Sequence, residues 1–234
     1  MKALLLAAGK ATRLGSLSNR TPKCLQEVGG EALLDRIVRQ LYEAGVEEFL
    51  INTHHLADQI FAHIDSRPDR DQFTLIVEPK LLGTLGTLRA NANYFSSNGG
   101  WVLHADNFIA GSLRGLREGF DARPIDSWGT VLTFEAHDPS ACGVVVTDER
   151  AVMIDFFEKV PTPPTRQASA ATFVFESRVL DLANGLPTNA TDISRDLMPR
   201  LVGKLNAISH HEPIIDIGTP SGLRRARRLA LLKD

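Results

Sequence analysis

At 234 residues, the chain is long enough to bury a sizeable core, as one domain or two small ones, without disulfide or metal support. Its hydrophobic fraction of 43%, charged fraction of 23% and net charge of −2 are ordinary for a globular protein. They exclude a general attraction to nucleic acid or acidic membranes. Two cysteines give no disulfide framework, so we expect a cytoplasmic protein. The apolar N-terminal stretch is too short for a signal or a membrane span, and we expect no membrane partner.

The first predicted element is a strand over residues 3–8, a continuous apolar run. Such a run is typical of a central parallel strand that is covered on both faces. Gly9 follows at its carboxyl end, where open α/β sheets bind their ligands. From there to Pro22 the chain has no helical or alternating period, and so long a loop is usually functional. Glycine lets backbone N–H groups approach an anion, and Arg13 and Lys23 can neutralise one, which predicts a phosphate-binding loop.

An alternation of helices and strands follows the loop. Residues 31–44 place apolar side chains at helical spacing along one face, and Gly45 is a natural stop. The patterns predict strands over residues 46–53 and 73–77, with a helix over residues 55–64 between them. This order is typical of a parallel sheet with right-handed crossovers.

Asp106 follows another short apolar strand, over residues 101–105. Taken alone, such an aspartate has two interpretations. It can bind Mg²⁺, which takes one or two carboxylates together with waters and substrate phosphates, or it can cap a helix.

The second half of the chain is richer in predicted strands, over residues 130–136, 143–146, 151–157 and 170–175. The proline-rich residues 160–167 are too short for a domain linker, and we expect an ordered loop. A helix is predicted over residues 192–201, capped by Thr191 or Asp192. Pro220 opens a last helix, whose basic side we expect to be a solvated face or an oligomer contact.

Several segments together resemble the signature of the sugar-1-phosphate nucleotidyltransferases. LAAGKATRL followed by PKCL is similar to the family's L-A-G-G-x-G-T-R-L and P-K-x-L, with Ala8 and Ala11 where glycine is common. LGTLG, LHADN, CGVV, EK and DIGTP resemble later segments of that family, in the same order. The resemblance implies a Rossmann-like three-layer αβα sandwich with a mixed, mostly parallel central sheet, the nucleotide-diphospho-sugar transferase fold. We expect a single domain over residues 1–234, with nucleotide binding in about residues 1–110 and sugar-phosphate binding in about residues 111–234.

Carried over residue by residue, the resemblance also implies a site. Arg13 and Lys23 match the catalytic cations, and Asp106 and Asp216 match the ligands of Mg²⁺. The positions that match the family's nucleotide-binding residues are Leu6, Ala8, Gly9, Glu78, Gly83 and Thr84. Those that match its sugar-phosphate-binding residues are Gly143, Glu158 and Lys159.

Glu78 matches a family position that contacts the nucleobase. Its two carboxylate oxygens could accept hydrogen bonds from N1–H and the 2-amino group of guanine at once. A solvated glutamate at the end of a strand is the other interpretation, and the sequence leaves both open.

The implied reaction is attack of a sugar 1-phosphate on the α-phosphorus of a nucleoside triphosphate, with release of pyrophosphate. Both reactants are anions, so we expect catalysis by positioning and charge neutralisation. The short form with LHADN and DIGTP resembles guanylyltransferases of mannose or manno-heptose 1-phosphate, which supply capsule or other surface polysaccharides. GTP, one of these sugars and Mg²⁺ are therefore the expected substrates and cofactor.

Two alternative functions stay open. One is a uridylyl- or thymidylyltransferase of the same fold that acts on another hexose 1-phosphate. The other is a non-catalytic, sugar-nucleotide-binding regulatory protein. A homodimer also stays open as the assembly. The chain offers no room for the left-handed β-helix of some relatives, so we expect no acetyltransferase activity.

Overall fold

The apolar N-terminal run forms the central strand of the main sheet. The computed structural model describes residues 1–10, 12–17, 20–95 and 99–232, so Ala11 of the signature lies outside the described residues. The strands are β1 (Lys2–Leu6), β2 (Glu27–Val28), β3 (Glu31–Ala32), β4 (Glu48–Thr53), β5 (Phe73–Val77), β6 (Gly100–His104), β7 (Asn107–Ile109), β8 (Gly129–Glu135), β9 (Gly143–Thr147), β10 (Met153–Glu158), β11 (Gln167–Phe175), β12 (Leu205–Ser209) and β13 (Ile214–Asp216).

The main sheet has a parallel part and an antiparallel part. In the parallel part, β1 lies between β4 and β6, and β5 extends the sheet beyond β4. The antiparallel part begins where β11 pairs with β6, and it continues through β8, β9 and β10. Strand β12 adds to β8 in the parallel sense. Since β1, β4 and β6 run in the same direction, their carboxyl ends meet at one edge, which is where a ligand site is expected.

Helices cover both faces of this sheet. They are α1 (Leu33–Glu43), α2 (Ala57–Asp65), α3 (Thr84–Ala90), α4 (Arg114–Asp121), α5 (Ser177–Asn184) and α6 (Pro220–Ala230). Successive residues of β1 point to opposite faces, so Ala3 and Leu5 join one buried cluster with α1, α2, α4 and α6. Leu4 and Leu6 join a second cluster with α3 and α5. Two cores on one sheet give the predicted three-layer α/β sandwich, which is confirmed.

The helix predicted over residues 192–201 differs from expectation. A π-turn over Ile193–Leu197 is followed by a 3₁₀ turn over Met198–Leu201. Pro199 has no backbone N–H to donate to the carbonyl four residues earlier, so a regular α-helix cannot continue through it. The predicted cap is present, because the Asp192 side chain accepts a hydrogen bond from the backbone N–H of Arg195.

The two halves expected from the resemblance share one sheet, since β11 of the second half pairs directly with β6 of the first. Across the described ranges, none of the helices is both long enough and apolar enough to span a membrane.

Candidate active site

A pocket of about 260 Å³ opens at the carboxyl ends of β1, β4 and β6. The two walls of the pocket come from the segment after β1 and from the loop between β5 and α3. All the residues that we predicted to bind the nucleotide line it, namely Leu6, Ala8, Gly9, Glu78, Gly83 and Thr84. Lys23 and Asp106 line it as well. The parallel strands therefore bring together residues that are up to 100 positions apart in the sequence.

Lys23 joins the two predicted metal ligands at one end of the pocket. Its Nζ lies 2.5 Å from Oδ2 of Asp106 and 2.8 Å from Oδ1 of Asp216. Pairing of β13 with β7 sets Asp216 opposite Asn107, the residue after Asp106. A hydrogen bond of 3.1 Å from the N–H of Ile217 to the carbonyl of Asp106 ties the two segments together. We call the group of Lys23, Asp106 and Asp216 the phosphate end, after its predicted role.

Arg13 reaches the same group from the loop. Its Nη2 lies 3.4 Å from Oδ2 of Asp216, and its side chain is exposed. Burial raises the pKa of the Asp216 carboxyl. This effect is outweighed by the charge and hydrogen bond of Lys23, by the N–H of Gly218 and by the charge of Arg13, all of which lower the pKa. The net pKa of Asp216 is lower than usual, so this carboxylate is ionised at neutral pH.

The phosphate end offers oxygen donors of the kind that Mg²⁺ prefers. The carboxylates of Asp106 and Asp216 face a common point, and the positively charged ammonium group of Lys23 lies there. Mg²⁺ takes one or two carboxylates and completes its shell with waters and substrate phosphates. Within the described part of the chain, no cluster of three or more His, Cys, Asp or Glu is arranged to hold a metal. The donor set therefore suits Mg²⁺ better than a metal that needs a complete protein shell.

At the opposite end of the pocket, Glu78 is buried and bonded within the protein. Its Oε1 accepts hydrogen bonds from Asn52 Nδ2, at 2.8 Å, and from the Thr87 hydroxyl. Its Oε2 accepts one from the N–H of Leu82, at 3.0 Å. An oxygen with two donors has no lone pair left. The two-oxygen contact with guanine that we considered does not fit this arrangement, and neither does a solvated strand end.

Gly83 and Thr84 join the pocket loop to a distant segment. Gly83 has φ of +76°, and a Cβ at this position would lie 2.4 Å from the carbonyl oxygen of Thr191. The N–H of Leu85 donates to that carbonyl at 2.9 Å, and the N–H of Ile193 donates to Thr84 Oγ1 at 2.8 Å. Only glycine combines this backbone conformation with so close a contact.

The predicted sugar-phosphate residues lie together outside the pocket lining, at the start of β9, at the end of β10 and directly after β10. Gly143 is paired with Glu158, and a Cβ on Gly143 would lie 2.7 Å from Glu158 Oε2. Lys159 Nζ lies 3.0 Å from Glu158 Oε1. Burial and the charge of Asp138 raise the pKa of the Cys142 thiol, and Glu158 and Asp216 add to this effect. Cys142, the residue before Gly143, is therefore within electrostatic range of both Glu158 and Asp216.

Seven further residues of the pocket lining were not predicted. They are Ala7, Cys24, Asn52, Leu81, Thr87, His104 and Ala105. Asn52 is the last residue but one of β4, and a polar residue so close to the carboxyl end of an apolar strand is the one signal in the sequence that could have identified it. The others have no local pattern, because their place depends on tertiary packing.

The fold and this site together define an α/β protein with a ligand pocket at the carboxyl edge of its parallel strands and opposite charges gathered at one end. Comparison with known families extends this description. The profile of the family described as nucleotidyl transferase matches residues 2–231. The chain therefore belongs to the nucleotidyl transferase family.

Individual relatives are more distant. A Sulfolobus acidocaldarius protein with the provisional name mannose-1-phosphate guanyltransferase is 28% identical over 229 residues, which are 96% of this chain and 62% of that protein. The chain thus spans less than two thirds of that relative's length. N-acetylmuramate alpha-1-phosphate uridylyltransferase of Caulobacter vibrioides is 45% identical over 65 residues, 28% of this chain and 27% of that enzyme.

Among solved structures, one from Bacillus anthracis, provisionally named a glucose-1-phosphate thymidylyltransferase, superposes with a TM-score of 0.84. It is 24% identical in sequence, and the match covers 98% of this chain and 95% of that one. This likeness establishes the fold.

Proposed function

We propose that the chain transfers a nucleotidyl group from a nucleoside triphosphate to a sugar 1-phosphate, with release of pyrophosphate. The observation that carries the proposal is the phosphate end of the pocket, where Lys23 pairs with Asp106 and Asp216, together with Arg13, which pairs with Asp216. Two anionic substrates repel each other, so a catalyst for their reaction needs fixed positive charge and a site for a bound cation where they meet.

Each residue of the cluster has a role in this scheme. Arg13 stabilises the charge on the triphosphate and on the departing pyrophosphate, and Lys23 draws the two phosphate groups together. Asp106 and Asp216 would hold Mg²⁺, which supplies charge neutralisation when bound. Lys159 would contact the sugar phosphate, with Glu158 and Gly143 against the ring. No side chain acts as a base, because the attacking phosphate is already ionised.

We propose GTP as the nucleotide and mannose or manno-heptose 1-phosphate as the sugar. The similarity to the Sulfolobus protein over nearly the whole chain supports this choice. The product would be an activated sugar for the synthesis of surface or capsular polysaccharide. The similarity to the Caulobacter enzyme supports a second candidate, a uridylyltransferase, because the identity is higher although the aligned segment is short.

A matrix of substrates tests these proposals. GTP, UTP, dTTP and ATP are each combined with mannose, manno-heptose, N-acetylmuramate and glucose 1-phosphates, in the presence of Mg²⁺, and pyrophosphate release is measured. We expect the highest kcat/KM for GTP with mannose or manno-heptose 1-phosphate. A preference for UTP with every sugar would instead support the second candidate. Nucleotide binding without pyrophosphate release from any pair would favour the regulatory protein.

A further inference from the structure

Three buried polar side chains lie together at the end of the pocket away from Lys23. Asn52 on β4, Glu78 after β5 and Thr87 on α3 are 3%, 4% and 1% exposed. All three line the pocket. We call them the Asn52 cluster. Buried polar groups are costly unless they are hydrogen-bonded, so the bonds within the cluster show what holds it in place.

Asn52 is the residue that connects the cluster to the start of the phosphate-binding loop. Its Nδ2 donates to Glu78 Oε1 at 2.8 Å and to Thr87 Oγ1 at 3.2 Å. Its Oδ1 accepts a hydrogen bond of 2.8 Å from the N–H of Ala7, the first residue after β1. One amide side chain thus fixes the backbone of the loop on one side and a buried carboxylate on the other.

Glu78 carries the connection to the other wall of the pocket. Its Oε2 accepts from the N–H of Leu82, which lies in the loop between β5 and α3. Its backbone is fixed too, because its N–H donates to the carbonyl of Thr53 at 2.8 Å and its carbonyl lies 2.7 Å from His54 Nδ1. The carboxylate therefore holds the shape of this loop.

The number of free acceptor positions on the Glu78 carboxylate determines whether it can also distinguish one nucleobase from another. Two donors, from Asn52 and Thr87, use Oε1, and Leu82 uses one position on Oε2. One acceptor position is left, and any base that carries a single N–H donor can use it. Guanine and uracil both carry such a donor, so this carboxylate does not separate them.

We propose that Asn52 is a positioning residue, which acts through Glu78 to set the spacing between the phosphate-binding loop and the wall formed by the β5–α3 loop. In this arrangement Glu78 shapes the nucleotide pocket, and other groups determine which base is accepted. Loss of the cluster weakens binding of every nucleoside triphosphate by the same factor. This inference deepens the proposed function and rests on it, because it concerns the nucleotide subsite of that reaction.

The test compares Asn52→Leu, Glu78→Gln and Thr87→Val with the wild-type protein. Equilibrium binding of fluorescent GTP and UTP analogues is measured for each, together with kcat and KM for pyrophosphate release. We expect Asn52→Leu and Glu78→Gln to weaken binding of both nucleotides by about 10- to 100-fold, since leaving buried polar groups of the pocket wall without their partners has a cost of this size. The ratio of GTP to UTP affinity should stay within about threefold of the wild-type ratio, and KM should rise more than kcat falls.

Asn206→Leu is the matched control, because Asn206 is also a buried asparagine within a strand, 7% exposed, on β12. A variant that is merely less stable loses active protein, which lowers the apparent kcat and leaves KM and affinity unchanged. We expect that behaviour from the control and not from Asn52→Leu. If Asn52→Leu fails to fold, Thr87→Val decides the matter, because it removes one donor to Glu78 with little change in shape.

Two results would overturn the inference. A change of more than tenfold in the GTP to UTP ratio of Glu78→Gln would show that the carboxylate reads the base. Unchanged affinity for both nucleotides in Asn52→Leu, or in Thr87→Val if it alone folds, would show that the cluster does not position the site. Binding of nucleotide by the wild type without pyrophosphate release would reject the proposed function, and the affinity ratios would still decide the role of the cluster.

Discussion

At the phosphate end of the pocket, ion pairs hold Lys23, Asp106 and Asp216, whereas at the other end hydrogen bonds between buried groups hold the Asn52 cluster. The carboxylates of Asp106 and Asp216 are 32% and 47% exposed, and the members of the Asn52 cluster are below 5%. The Lys23 side chain is 10% exposed, but solvent reaches both carboxylates, so the phosphate end is open to charged ligands. Buried hydrogen bonds are costly to break, so the opposite end is suited to keeping a fixed shape.

The largest expected effect comes from removing a cation at the phosphate end. Lys23→Ala and Arg13→Ala should each lower turnover by about 100- to 1,000-fold, since a preorganised donor to a developing charge is typically worth about 3–4 kcal/mol. Turnover is measured by pyrophosphate release, and folding by thermal unfolding. Lys2→Ala is the control, because it removes another lysine ion pair, 3.0 Å from Glu48, at the opposite edge of the sheet. Wild-type turnover in both site variants would reject the assigned roles.

A substitution at Gly83 tests the rigidity of the other end. Gly83→Ala places a Cβ 2.4 Å from the Thr191 carbonyl oxygen, in a backbone conformation with φ of +76°. We expect the free energy of unfolding to fall by about 1–3 kcal/mol, together with weaker nucleotide binding. Gly203→Ala is the matched control, since Gly203 has the same φ of +76° and no atom within 4 Å of its Cβ position. If both variants lose the same stability, contact with Thr191 is not a constraint on the loop.

Acid unfolding measures how much the ionised carboxylate of Asp216, at the phosphate end, contributes to stability. The pKa of Asp216 is lower in the folded protein than its usual value, so its ionised form stabilises the native state above about pH 4. That contribution is lost as the pH falls through the folded pKa. Because the carboxylate is about half exposed, we expect Asp216→Asn to reduce the acid-induced loss of stability by about 1 kcal/mol or less. Urea unfolding at pH 7 and pH 3 measures this difference, and a steeper loss in the variant would contradict the sign.

The smallest effect concerns the two thiols. Burial raises the pKa of Cys24, in the pocket lining, to about 12, and burial also raises that of Cys142, which is partly exposed. The thiolate is the reactive form, and burial keeps the Cys24 thiol protonated at pH 8. We expect alkylating reagents to modify Cys142 first in the folded protein and Cys24 only after unfolding. Mass spectrometry of the timed reaction identifies the modified residue, and rapid labelling of Cys24 would indicate that the pocket opens more widely.

The sequence determined the parallel half of the fold and the charged residues of the site. Apolar runs such as residues 73–77 specify strands locally, and the observed β5 has the same bounds, Phe73–Val77. Arg13 and Lys23 lie in the polar loop after the first such strand, and Asp106 follows another, so the pattern indicates these three residues, whereas Asp216 is implied only by the resemblance of DIGTP to the family. The roles assigned to them stay predictions.

Tertiary structure decided how those residues meet and which groups Glu78 contacts. The pairing of β13 with β7 brings Asp216 to Asp106 across more than 100 positions, and no local pattern encodes that register. The sequence allowed a contact between Glu78 and a base, because the residues near Glu78 in the chain do not indicate its hydrogen bonds. Its partners Asn52 and Thr87 come from another strand and from a helix. Hydrogen bonds between distant segments depend on three-dimensional position, and a local pattern in the chain carries only the spacing of near neighbours.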